Sequence, residues 1–180
     1  MWNLPNTLTI ARIFMVPLLV VILLTEFPGK EFWGLGVFLL ASLTDLMDGM
    51  IARRTGKITV VGALLDPIAD KLLTSAAFIS LVELGLAPSW MVTVIVGREF
   101  AVTGLRMIAL EKGVAIAANS WGKVKTTAQV IAISILILGR QLGKWIVIGD
   151  VALWIALVLT VVSMVVYFGA NWRLIVSEED

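Results

Sequence analysis

The chain has 180 residues, of which 59% are apolar and 15% charged, with a formal net charge of +1 and a mean hydropathy of +1.00. Soluble domains hold about 45–50% apolar residues, so this chain could not cover its surface with polar groups, and the composition is that of a membrane protein. The absence of histidine and cysteine excludes imidazole bases, thiol nucleophiles, disulfides and zinc or iron sites built on nitrogen or sulfur, and so small a net charge gives no reason to expect a nucleic-acid partner.

Apolar stretches of about 20 residues can cross a hydrocarbon core of about 30 Å as helices, and six such stretches follow one another with short polar punctuation. The first covers roughly 7 to 26. Arg12 ahead of the apolar run Ile13 to Leu24 has the charge order of a signal peptide, but Thr25-Glu26-Phe27-Pro28 offers no small-residue cleavage site, so the segment is expected to be retained. Pro28-Gly29 breaks the helix before the second stretch, roughly 32 to 53. The third, roughly 63 to 86, follows the Gly56 region and ends near Gly85 and Pro88. The fourth runs roughly from 89 to 110, the fifth from 121 to 139 after Gly113, and the sixth from 146 to 171 after Gly143. None shows the period-2 alternation of a membrane β-barrel strand. The expectation is an all-α integral membrane protein: a single domain over 1–180, with six transmembrane helices and a cytoplasm-facing polar cavity.

Six spans put both termini on one side. Arg53, Arg54 and Lys57 lie in the second connection, and Arg106, Lys112, Lys123 and Lys125 flank the fourth. The first and third carry only Lys30 against Glu26 and Glu31, and Glu83. Basic residues favour the cytoplasm, so both termini are expected there, although Arg140 and Lys144 in the fifth connection run against the rule. Trp2, Trp33, Trp90, Trp121, Trp145 and Trp172 fall near span ends, as an interfacial belt requires, and Trp154 alone falls within a span.

Four aspartates lie in or beside the second and third spans, where an ionised group is costly and usually has both a partner and a role. Asp45 and Asp48 are three residues apart, and Asp66 and Asp70 four apart, so each pair projects from one face of its helix. The short connection between the two helices lets the faces meet. An all-oxygen cluster of this kind suits Mg²⁺ or Mn²⁺, with room for two ions. Gly49 and Ala52 follow on nearly the same stripe and leave space for a bulky ligand, Arg53 adds a phosphate-binding fork, and Gly62 repeats the small-residue spacing ahead of Asp66 and Asp70. Metals, a fixed arginine and small residues together describe a diphosphate site. The competing readings are helix caps or interhelical hydrogen bonds, and a divalent-cation transporter.

The run Asp45-x2-Asp48-Gly49-x2-Ala52-Arg53-x8-Gly62-x3-Asp66-x3-Asp70 resembles the full signature of the CDP-alcohol phosphotransferase family, with every fixed position present. The resemblance implies two divalent metals held by Asp45, Asp48, Asp66 and Asp70, and a CDP-linked donor that loses CMP. It further implies that Asp70 is the base for the acceptor hydroxyl, that the active site faces the cytoplasm of a bacterial-type inner or plasma membrane, and that the protein is a homodimer. Pro5-Asn6-x-Leu8-Thr9-x2-Arg12 is similar to the family as well. Thr9 and Arg12, one turn apart, could approach the nucleotide, while Asn6 or Thr7 could simply cap the helix.

Two later segments, Gly97-Arg98-Glu99 through Gly104-Leu105-Arg106 and Ser120-Trp121-Gly122-Lys123-Val124-Lys125, resemble the branch of the family that uses CDP-diacylglycerol as donor and sn-glycerol 3-phosphate as acceptor. Such an acceptor carries a near-dianionic phosphate that fixed cations would hold, and Arg98, Arg106, Lys123 and Lys125 are the candidates. The alternative is that they are ordinary positive-inside anchors or lipid-headgroup contacts. On a regular helix Lys123 and Lys125 point about 200° apart, so both cannot face one pocket. Inositol phosphate, serine or a phospholipid are alternative acceptors for the same chemistry.

Overall fold

The structure, a computed structural model, describes residues 4–55, 60–111 and 120–176, with the side chains of 4–8, 45–55, 60–67, 108, 110–111, 120–121, 144 and 171–176 outside the description. All of its regular structure among the described residues is helical: α1 (Leu4–Leu24), α2 (Lys30–Thr55), α3 (Val60–Glu83), α4 (Ser89–Glu111), α5 (Ser120–Ile137), the single turn α6 (Gly139–Leu142), a 3-10 turn (Gly143–Trp145) and α7 (Ile146–Val176). The six long helices occupy the six apolar stretches of the sequence. Among the described residues, one segment, Ile146–Ala170 in α7, is long and apolar enough to cross a membrane by length and composition alone, and Thr9–Leu24 is a shorter apolar helix. Asp70 and Lys71 in α3 and Arg98, Glu99 and Arg106 in α4 interrupt the hydropathy of those two helices.

Glycine shapes the turns where a left-handed backbone is needed. Gly29 (φ 78°), Gly85 (φ 70°) and Gly143 (φ 52°) take positive φ, which costs glycine little and other residues more. After α3, Leu86 N–H donates to the Leu81 carbonyl at 2.8 Å and Gly85 N–H to the Val82 carbonyl at 2.9 Å. These are the paired bonds of a Schellman stop, which satisfy carbonyls the helix end would otherwise orphan.

Helix α1 packs against both α2 and α3, and α5 packs along α7. Leu19 and Leu23 of α1, Phe38 of α2, Phe78 and Leu81 of α3, Met91 and Ile95 of α4, Ile133 and Leu136 of α5 and Leu153 of α7 form one buried cluster. Small residues bring the axes close. A Cβ on Gly34 would lie 2.5 Å from Leu23 Cδ2, and one on Gly149 would lie 2.9 Å from Leu136 Cδ2. In lipid, where leaving the solvent gains an apolar side chain nothing, such close contact is a principal source of helix association.

The distribution of polarity is inverted relative to a water-soluble bundle. Phe14, Leu18 and Val21 form an exposed stripe on α1, and Val151, Trp154, Val158 and Val165 an exposed stripe on α7. Arg12, Arg98, Glu99, Lys125, Gln129 and Thr160 are buried. Apolar outside and charged inside is the arrangement a hydrocarbon solvent selects. Trp154, the tryptophan placed within a span, meets Trp90 at the start of α4 edge to face, with ring centroids 5.7 Å apart. The 31 residues of α7 measure about 46 Å, longer than a hydrocarbon core of about 30 Å, so its first turns can project past the end of α4.

At the end of the bundle where α1 meets α2, polar contacts run across the surface. Lys30 Nζ pairs with Glu26 at 2.8 Å, Arg140 reaches the same carboxylate at 3.3 Å, and Gln141 donates to Glu31 at 3.3 Å. Arg140, one of the two basic residues that ran against the positive-inside count, is thus matched by Glu26.

Candidate functional site

Asp70 stands on α3, and its backbone carbonyl accepts from the Thr74 hydroxyl at 3.1 Å. Its carboxylate pairs with Lys71 and keeps 25% of its side-chain surface accessible. It lies on the wall of a groove of about 250 Å³ formed by α2, α3 and α5. Leu39 and Leu43 of α2, Leu73 of α3, and Val130 and Ile131 of α5 make the groove largely apolar. Its hydroxyls are already spent on their own helices: Ser42 donates to Phe38 at 2.8 Å, Thr126 to Gly122 at 3.0 Å and Thr127 to Lys123 at 3.1 Å. Asp70 is the one ionisable group among the described lining residues. Leu39, Leu43 and Ile131 are also exposed on the outer surface, so the groove opens sideways toward the apolar exterior.

Behind Asp70 lies a buried charge cluster centred on Glu99 of α4. Glu99 Oε1 accepts from Lys125 of α5, lies 3.5 Å from Arg98 Nη1 and accepts from Gln129 Nε2 at 3.2 Å. Its other oxygen lies 3.2 Å from Lys71 Nζ, the ammonium that also holds Asp70. Gln129 donates in addition to the Thr160 hydroxyl of α7 at 3.3 Å. Three helices, α3, α4 and α5, therefore meet at one carboxylate, α7 joins through Gln129, and the chain of contacts Asp70, Lys71, Glu99, Lys125 runs from the groove into the interior. Arg98 is 8% exposed, and its Nε lacks a hydrogen-bond partner among the described residues. Donor capacity is thus left over in a buried, cation-rich place, which is what an anion would use.

The other candidates from the sequence separate. Lys125 is buried and Lys123 is exposed, as the 200° divergence requires. Arg106 engages Tyr167: its Nε donates to the Tyr167 hydroxyl at 3.1 Å, and its guanidinium sits 5.3 Å from the centre of that ring. Thr9 and Arg12 are both buried in α1, each 1% exposed. The backbone of α2 carries Asp45, Asp48, Gly49, Ala52 and Arg53, and that of α3 carries Gly62 and Asp66, but the side chains of these residues lie outside the described set. Among the described residues no cluster of three acidic side chains is present, and of the four aspartates only Asp70 contributes a described carboxylate. Sequence reasoning overlooked Lys71, Gln129 and Thr160. Lys71 did have a signal, because a lysine directly ahead of Leu72-Leu73 in an apolar helix is as unusual as the aspartate before it. Gln129 and Thr160 had none, since an amide and a hydroxyl are commonplace in such helices.

The family model described as CDP-alcohol phosphatidyltransferase matches residues 2–162. A protein of Bacillus subtilis (strain 168) named CDP-diacylglycerol--glycerol-3-phosphate 3-phosphatidyltransferase is 46% identical, over 96% of this chain and 97% of that protein. One of the same name from Rickettsia bellii (strain RML369-C) is 41% identical over 93% of this chain and 94% of its own length. A probable phosphatidylglycerophosphate synthase of Mycobacterium tuberculosis (strain ATCC 25618 / H37Rv) is 39% identical, covering 95% of this chain and 82% of that protein.

Proposed function

Since the chain belongs to the CDP-alcohol phosphatidyltransferase family, we propose that it transfers a phosphatidyl group from CDP-diacylglycerol to sn-glycerol 3-phosphate, giving phosphatidylglycerol phosphate and CMP. The observation that carries this reading is the juxtaposition of two unlike environments on either side of Asp70: a laterally open apolar groove and a buried cluster of Lys71, Arg98 and Lys125 around Glu99. A lipid-linked donor needs the first, and a small phosphorylated alcohol the second.

In this reading Asp70 accepts the proton of the acceptor hydroxyl as its oxygen attacks the donor phosphorus and the bond to CMP breaks. Lys125 and Arg98 hold the acceptor phosphate, which converts an encounter in solution into an oriented attack. Arg53, Gly49, Ala52 and Gly62, with Thr9 and Arg12, make up the donor nucleotide site in this reading. Arg106 and Lys123 belong to the rim, where they attract anionic substrate. The donor set Asp45, Asp48, Asp66 and Asp70 is wholly carboxylate, and Asp70 retains accessible surface, so these residues fit Mg²⁺ or Mn²⁺ and would hold two ions. Such ions would offset negative charge on the diphosphate.

The same reading places six spans in a bacterial-type inner or plasma membrane. Both termini and the site lie on the cytoplasmic side, on the strength of Arg53, Arg54, Lys57, Lys112 and Lys123. Two chains form the assembly, which a mass measurement in detergent checks. The deciding experiment follows CMP release in detergent with CDP-diacylglycerol and a panel of acceptors. Turnover with sn-glycerol 3-phosphate and not with serine or inositol phosphate is expected, and turnover with serine alone would overturn the acceptor assignment.

A further inference from the structure

We infer that Glu99 is a positioning residue for the acceptor: its carboxylate fixes Lys125, Arg98 and Lys71 in the geometry that receives a phosphate monoester, and Gln129, anchored on Thr160, fixes Glu99 in turn. The inference rests on the acceptor pocket proposed above and adds a residue that does not itself touch substrate.

The geometry requires such an anchor. Lys71, Arg98 and Lys125 come from three different positions on α3, α4 and α5 and would repel one another if they shared a buried space without an anion. Glu99 is the carboxylate all three approach. Three cations on Glu99, one of them also held by Asp70, leave one positive charge uncompensated within this group, which gives the pocket the sign a phosphate monoester needs. Lysine and arginine stems carry substantial rotamer entropy. A fixed counter-ion that removes this freedom before the substrate arrives lowers what binding must overcome. Gln129 extends the arrangement by one layer. Its amide donates to Glu99 at 3.2 Å and to Thr160 at 3.3 Å, so the carboxylate is oriented by α5 and α7 together rather than by its own helix.

Positioning and simple charge balance predict opposite signs. Glu99→Gln makes the pocket more positive, so electrostatics alone would tighten the binding of a dianion. If Glu99 positions the cations, its loss weakens binding. The test uses the full chain in detergent with CDP-diacylglycerol and sn-glycerol 3-phosphate, and measures KM for each substrate and the unfolding midpoint. Glu99→Gln is expected to raise the acceptor KM about 10-fold, in the range seen when residues that orient ligating groups are removed, with the donor KM within about twofold. Gln129→Leu, which changes no charge, should raise the acceptor KM about threefold, as loss of one hydrogen bond allows, and should leave the donor KM alone. An acceptor KM that falls or stays constant in both variants overturns the inference, as does an equal rise for both substrates. If Glu99→Gln fails to fold, Gln129→Leu decides. Arg98→Ala serves as the reference. A raised acceptor KM there with no change in the Glu99 and Gln129 variants defeats the positioning role alone. An unchanged acceptor KM in Arg98→Ala defeats the acceptor pocket and takes the inference with it.

Discussion

The molecule contains two sets of ion pairs built from the same residue types in opposite surroundings. Around Glu99, three cations and a glutamine are gathered on a carboxylate whose side chain is 4% exposed. Around Glu26, Lys30 and Arg140 meet a carboxylate whose side chain is 73% exposed. Coulomb attraction at a given distance is weak in water and several-fold stronger where water is excluded, and the penalty for leaving a charge unmatched grows in parallel. Burial thus makes the Glu99 group rigid and consequential, while exposure makes the Glu26 group replaceable.

The sharpest break in the comparison comes at the groove itself. Asp70→Asn should lower CMP release by at least about 100-fold, the scale of general-base catalysis, with little change in the unfolding midpoint. Full activity in that variant would remove Asp70 from the chemistry. Glu99→Leu removes the carboxylate that Lys71, Arg98 and Lys125 share, leaves buried cations without their counter-ion, and should cost roughly 3–5 kcal/mol of stability, as read by denaturant titration in detergent. A pair-breaking change at the exposed end, Arg140→Gln, should leave the unfolding midpoint where it was. Gly85→Ala, away from both charge groups, tests the turn between α3 and α4. A Cβ there meets open space, so only the left-handed backbone is at issue, and about 1 kcal/mol should be lost.

The smallest effect is a pH dependence at the exposed end. The hydrogen bond from Lys30, the facing charges of Lys30 and Arg140, and a second hydrogen bond from Arg140 hold the Glu26 carboxyl below its ordinary 4.5. A depressed folded-state pKa gives stability that is present above the unfolded value and disappears as pH falls through the folded one. The difference in unfolding midpoint between the unaltered protein and Glu26→Gln should therefore be constant at neutral pH and shrink below about pH 4.5. A difference that grew on acidification would reverse the assignment.

Much of this was legible along the chain. The six long helices start and stop within a few residues of the apolar stretches because helix formation in lipid is a local affair: backbone groups must be satisfied within their own segment. Gly29, Gly85 and Gly143 marked the turns for the same reason, since the left-handed backbone is a property of one residue. The Asp45 to Asp70 signature was readable because fixed spacing on two consecutive helices is preserved in sequence. The division between Lys123 and Lys125 was half readable: periodicity showed that they diverge, but not which one turns inward.

The sequence by itself determined the helical character, the segment boundaries, the family and the presence of costly charges in apolar helices. Only the tertiary structure decided that Glu99 gathers Lys71, Arg98 and Lys125, that Arg106 stacks on Tyr167 instead, and that Gln129 and Thr160 secure the arrangement from behind. The physical reason is that hydrophobic length and turn geometry are set by neighbours in the chain. Which buried charge finds which partner depends on the separation of helices distant in sequence and on the exclusion of water between them.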